Sequence, residues 1–168
     1  RVYGVYIMVK NERIKIFADT TVNTDPTAEN LAEAAILCAD LAKTLGLKPR
    51  VAMLSFSHFG EVNHPEAQKV RRATKLAHEM DPSIPIVGEV HADFAVSPEL
   101  ASEEFPWLEG TANVLIFPNL AAGNIAYKLT EQLGGFDAIG PVLVGLDKAA
   151  NAMLTRDYRK PFEVPRVV

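Results

Sequence analysis

The sequence predicts a layered α/β/α domain built around a mixed, largely parallel sheet. Three observations carry that expectation. Short runs rich in β-branched residues alternate with longer helical patterns along most of the chain, as in α/β layered folds. The first two such runs are separated only by Asn11 and Glu12, which predicts an antiparallel hairpin. Residues 27–45 repeat apolar side chains at helical spacing, so one helix face is built for burial.

Taken in order, residues 2–10 and 13–18 alternate and are rich in Val, Tyr and Ile, so both read as strands. The hairpin they form is expected to make or extend one edge of the sheet. A polar loop follows, from Asp19 to Asp25. Pro26 precedes the main helix, which Asp25 or Thr27 can cap. Its apolar face holds Leu31, Ala34, Ala35, Cys38, Leu41, Ala42 and Leu45, and Gly46 ends it. Residues 51–57 start as a strand and break into the loop Ser55-Phe56-Ser57-His58-Phe59-Gly60. Residues 65–80 predict a helix carrying Lys69, Arg71, Arg72 and Lys75; the two arginines read as a solvated face or a subunit contact. Residues 84–90 and 114–117 predict strands. Residues 121–133 predict a helix closed by Gly134-Gly135, and 139–146 a last buried strand. Residues 157–168 hold Pro161 and Pro165, lose all periodicity and read as an irregular tail.

The chain has 168 residues, 48% apolar and 23% charged, which is ordinary globular composition for one domain. Seventeen Lys and Arg against 21 Asp and Glu give a net charge of −4, which argues against a nucleic-acid partner or a polybasic membrane anchor. No apolar run approaches the ~18 residues of a membrane span. The single cysteine, Cys38, permits no intrachain disulfide and fits a reducing compartment. Its place on the apolar helix face reads as a buried small thiol, with a reactive thiol as the alternative. The chain begins at Arg1 and enters a strand pattern at once, so it reads as a piece of a longer polypeptide.

In a parallel sheet, ligands bind beyond the carboxyl ends of the strands. That selects the loops 55–64, 89–97, 118–124 and 145–151. The hydroxyls and glycine of Ser55 to Gly60 suit phosphate binding through backbone N–H groups, or a plain connecting turn. Glu89, His91 and Asp93 alternate. In an extended strand they would share one face, as a metal site, an acid–base cluster or a hydrogen-bonded network. His58, His64 and His78 have no ligand spacing. Asn124, Tyr127 and Lys128 stand near the start of a helix, where an anion is favoured, or where they simply decorate a capped surface helix. The motifs Gly-x-Ser-x-Gly, His-Glu-x-x-His, Gly-x-Gly-x-x-Gly and the nucleotide P-loop are missing.

Several blocks in order resemble the phosphate acetyl/butyryl transferase family. They are Ala18-Asp19-Thr20-Thr21-Val22-Asn23, Arg50-Val51-Ala52-Met53-Leu54-Ser55-Phe56-Ser57, Gly88-Glu89-Val90-His91-Ala92-Asp93, Ala112-Asn113-Val114-Leu115-Ile116-Phe117-Pro118-Asn119, Ala122-Gly123-Asn124-Ile125-Ala126-Tyr127-Lys128 and Ile139-Gly140-Pro141-Val142-Leu143-Val144-Gly145-Leu146. Two branches compete. Ser57-His58-Phe59-Gly60, His64 to Ala73 and Glu89 to Asp93 resemble the C-terminal domain of bacterial NADP-dependent malic enzymes. The other branch exchanges acetyl between CoA and phosphate.

The resemblance implies an isocitrate/isopropylmalate dehydrogenase-like fold. Residues 1–156 would be a partial family domain, mainly one subdomain. It implies an acetyl-CoA-responsive regulatory and oligomerisation domain of a malic enzyme, or else the C-terminal part of a phosphate acetyltransferase. In the first case, NADP and a divalent metal belong to the missing malic-enzyme part, and no metal is expected here. It implies acetyl-CoA or CoA as ligand, a homodimer or higher homo-oligomer, and a cytoplasmic location. Ser55, Ser57, Asn124, Tyr127 and Lys128 would bind the ligand. Thr155 and Arg156 would stand, offset by one residue, for the transferases' catalytic Ser-Arg pair. The family's upstream half carries further anion-binding arginines.

Overall fold

The computed structural model describes residues 1–146. The hairpin strands are β1 (Tyr3–Lys10) and β2 (Arg13–Ala18), joined at Asn11, whose φ of 53° suits the left-handed turn conformation that Asn tolerates. Helix α1 (Ala28–Thr44) is capped by Thr27, whose Oγ1 accepts from the Asn30 amide while Asn30 Oδ1 accepts from the Thr27 amide, a reciprocal capping box. Strand β3 (Val51–Leu54) leads through a loop to α2 (Pro65–Met80), where Pro65 fits the first turn and His64 Nδ1 accepts from the Glu66 amide. Strand β4 (Ile86–Val90) follows.

Two short helices come next, α3 (Ala92–Val96) and α4 (Pro98–Glu104), then a single 3-10 turn at Pro106–Leu108. Strand β5 (Val114–Ile116), helix α5 (Leu120–Gln132) and strand β6 (Asp137–Val144) complete the described residues.

The six strands are ordered β4-β3-β5-β2-β1-β6. Pairings β4–β3, β3–β5 and β5–β2 are parallel; β2–β1 and β1–β6 are antiparallel. Among the described residues, β1 alone therefore runs against the rest. The expected mixed, largely parallel sheet is present. The hairpin does not form the edge, because β6 pairs along β1 from Tyr3↔Val144 to Val9↔Asp137 and takes that place. Most of β6 is only half-buried, which corrects the expectation of a buried final strand.

Strand alternation divides the core in two. Ile16, Ala18, Val51, Met53, Val114 and Ile116 face α1 and α2, which contribute Leu31, Ala35, Cys38 and Val70. Phe17, Ala52, Leu54, Leu115 and Phe117 face the other way, toward Ala95, Phe105, Leu108 and Tyr127. Helices thus cover both faces of the sheet, in three layers. Cys38 is fully buried, and burial pushes its thiol pKa up, so it is the inert buried thiol of the two alternatives. No helix among the described residues is long and apolar enough to cross a membrane.

Candidate functional site

The parallel strands β2, β3, β4 and β5 all end at the same edge of the sheet, and two buried carboxylates organise the loops there. The first is Asp19, directly after β2 and 3% exposed. Its Oδ1 accepts from the amides of Gly4, Thr21 and Val22 at 2.9–3.1 Å. Its Oδ2 accepts from the Asn23 amide at 2.8 Å and from Asn23 Nδ2 at 2.6 Å. Every donor is neutral, and four are backbone amides, so the carboxylate fixes the path of the loop.

The second is Glu89 on β4, fully buried. Arg71 of α2 grips it with both arms, Nε to Oε2 at 2.8 Å and Nη2 to Oε1 at 2.7 Å. Ser57 Oγ and the Gly60 amide donate to Oε1 at 2.8 and 2.9 Å. Burial alone would raise the Glu89 pKa, but the bonds from Arg71, Ser57 and Gly60 outweigh it and hold it near 2. Gly88 makes room for this arrangement: a Cβ there would lie 2.6 Å from Met53 Cβ.

Between the start of α5, the start of α2 and the loop after β2 lies an open cleft of about 610 Å³. Thr24, Asp25, Glu66, Asn119, Ala121 and Asn124 line it. Asn119 Oδ1 caps α5 by accepting from the Ala122 amide at 2.9 Å, so a helix N-terminus faces this space with its partial positive charge. Asp25 and Glu66 would oppose an anion, but Lys69 pairs with both, at 3.4 and 2.8 Å. The wall is rigid. Asn124 Nδ2 donates to the Thr20 carbonyl at 3.1 Å, and the Leu120 amide to the Thr24 carbonyl at 3.2 Å. A Cβ at Gly123 would lie 2.3 Å from the Asp19 carbonyl oxygen, so α5 packs backbone to backbone on the Asp19 loop.

The expected site residues separate. Asn124 lines the cleft, and its Oδ1 meets no donor among the described residues. Lys128 is exposed, with its ammonium 5.8 Å from the Tyr127 ring centroid. Tyr127 is buried and stacks on Tyr6 at 3.9 Å, so it packs α5 onto β1 and stands outside the cleft lining. Ser55 Oγ accepts from the Ser57 amide at 3.1 Å, while Ser57 is buried in the Glu89 network. Thr155, Arg156 and the 157–168 tail lie outside the described residues.

Glu89, His91 and Asp93 do not share a face, because β4 ends at Val90 and α3 starts at Ala92. Of the three readings open for them, Glu89 takes the hydrogen-bonded network. His91 Nε2 instead meets the Phe56 carbonyl at 3.0 Å. Arg72 is exposed and pairs with Glu29, as a solvated face would. Arg71 is not merely surface: its partner stands 18 residues away on another element, and no local spacing announces it.

A family model described as phosphate acetyl/butaryl transferase matches residues 1–156. The chain is 44% identical over 150 residues to a phosphate acetyltransferase of Bacillus subtilis (strain 168), covering 88% of this chain and 46% of that protein. It is 48% identical over 139 residues to a phosphate acetyltransferase of Thermoanaerobacterium thermosaccharolyticum, covering 81% of this chain and 42% of that protein. The fold superposes on the EutD phosphotransacetylase from Staphylococcus aureus with a TM-score of 0.82 at 41% identity, covering 88% of this chain and 46% of that one. The chain spans less than half the length of each of these relatives. All three bear transferase names, which favours the alternative of the two branches. The malic-enzyme branch, with its regulatory role, NADP and metal, has no counterpart among these relatives.

Proposed function

The chain belongs to the phosphate acetyl/butyryl transferase family, and from that premise we propose that it supplies one wall of an active site exchanging acetyl between CoA and phosphate. The observation that carries this reading is the family match over nearly the whole chain. The cleft at the carboxyl edge of the sheet supports it.

In the proposed reaction, a phosphate oxygen attacks the thioester carbonyl of acetyl-CoA. The carbon–sulfur bond of the tetrahedral intermediate then breaks. Acetyl phosphate forms, and CoA leaves as a thiolate that takes up a proton. The α5 N-terminus would favour the anionic ligand, and Asn124 Oδ1 would accept an N–H from it. Lys128 would offer a mobile cation one helical turn further on. The Asp19 and Glu89 networks would hold these groups in place before the ligand arrives, which is where much of such catalysis resides. The remaining cationic groups, Arg156 among them, would come from beyond the described residues. Acetyl-CoA, CoA and phosphate are the proposed ligands, a homodimer or higher homo-oligomer the proposed assembly, and the cytoplasm the proposed location.

The test uses the full-length parent protein. Phosphate-dependent release of CoA thiol from acetyl-CoA is expected. Asn124→Ala should raise KM for acetyl-CoA by about tenfold, the equivalent of one lost hydrogen bond. A parent protein with no phosphate-dependent thiol release would sink the transferase reading. Calorimetric titration of acetyl-CoA into this chain alone then reports whether this half holds a usable CoA site.

A further inference from the structure

We infer that Lys15 is a site of N-acetylation by an anionic acyl phosphate, at the end of the sheet opposite the cleft. Lys15 lies near the start of β2, half-buried beside the second core. Its Nζ donates to Thr111 Oγ1 at 2.8 Å and to the Ala112 carbonyl. Both acceptors are neutral, and no carboxylate stands within ion-pair distance among the described residues. Two cations flank it. Arg50 donates from Nε to the carbonyl of the same Thr111 at 2.7 Å. Arg13 precedes Lys15 on the strand, with its guanidinium 5.6 Å from the Phe136 ring centroid. Of the acids at this end, Glu109 pairs with Lys48, Glu12 lies in the hairpin turn and Asp137 opens β6 beside Val9; none of them forms an ion pair with Lys15.

This geometry suits an amine better than an ammonium. Two acceptors satisfy the two N–H groups of a neutral amine and leave its lone pair unused. Burial first, then Arg50 and Arg13, push the Lys15 pKa down to about 8. The same guanidiniums attract a dianionic acyl donor. The lone pair would attack the carbonyl carbon of acetyl phosphate. The carbon–oxygen bond to phosphorus then breaks, phosphate departs with the electron pair, and the amine's surplus proton passes to water. The product is an amide without charge.

The biological supply of acetyl phosphate rests on the transferase reading; the chemistry at Lys15 does not. The experiment therefore adds acetyl phosphate to the purified chain and follows each lysine by peptide mass spectrometry over time and pH. At pH 8, Lys15 should acetylate about tenfold faster than Lys43, whose bond to Asp40 raises its pKa, and faster than the exposed Lys75 and Lys128. Its rate should half-saturate near pH 8. Arg50→Gln should slow Lys15 severalfold and leave the other lysines unchanged. On the unaltered protein, inorganic phosphate should compete at Lys15 alone, a readout that survives any misfolding of the variant. If Lys15 reacts no faster than the exposed lysines, or phosphate slows all of them equally, the inference falls. A parent protein inactive in thioester exchange would overturn only the transferase reading, and Lys15 would still be decided by its labelling.

Discussion

Asp19 and Glu89 are both buried carboxylates at the carboxyl edge of one sheet, yet they are stabilised by opposite means. Asp19 is held by neutral donors, most of them within four residues of it. Glu89 is held by a guanidinium 18 residues away, with Ser57 and Gly60 drawn in from a third segment. The first is a local knot that shapes one loop. The second is a clamp that ties β4, α2 and the loop after β3 together. A knot has no counter-charge to lose, but removing it orphans many donors at once. A clamp depends on its charge, and its cation is 44% exposed, so water can replace part of what is lost.

That contrast fixes an order of effects. Asp19→Ala should cost on the order of 4 kcal/mol, because several donors lose their acceptor and each buried orphan costs roughly 1–3 kcal/mol. Thermal unfolding checks it, and a smaller loss than for Glu89→Gln would break the comparison. Glu89→Gln should cost about 2 kcal/mol, since hydrogen bonds to a charged group are replaced by neutral ones and water reaches Arg71.

Acid should separate the two variants further. The Glu89 carboxyl takes its proton near pH 4.5 in the unfolded chain and near 2 in the folded one, so acidification protonates the unfolded chain first. The stability it confers is complete above about pH 4.5 and is lost as pH falls toward 2. Glu89→Gln should therefore flatten the decline in Tm across that window. A wild-type slope in the variant would mean that Arg71 does not hold the carboxylate as described. Ser57→Ala should have the smallest effect, about 1 kcal/mol for one hydroxyl in the Glu89 network. A loss as large as that of Glu89→Gln would make Ser57, and not Arg71, the centre of the clamp.

Local physics was legible in the sequence. The hairpin, α1 with Asp25 or Thr27 as its cap, α2 and α5 all follow from spacing and end signals within one segment, and the structure selects Thr27. The short helices α3 and α4 were not foreseen, because five or seven residues between prolines show no period. The place of β6 was not foreseen either, since strand order is set by contacts across the whole chain. The same division holds at the site. Asn124 beside a helix start was readable, and the structure puts it in the cleft. Tyr127 stands in the same motif but faces β1. The partnership of Arg71 with Glu89 left no sequence signal, and the alternation of Glu89, His91 and Asp93 pointed to a shared face that the end of β4 abolishes.

The pairing of β1 with β6 also has a consequence in time. Tyr3 sits opposite Val144, so β2 can close on β1 as soon as it is made, but the outer partner of β1 arrives some 140 residues later. Closing so long a loop carries a larger entropic cost than forming the hairpin, and non-local strand pairs of this kind form slowly. On the ribosome, the hairpin would wait with one row of N–H and C=O groups unpaired until nearly all of this segment has emerged. That interval is when the nascent chain is most exposed to pairing with the wrong strand.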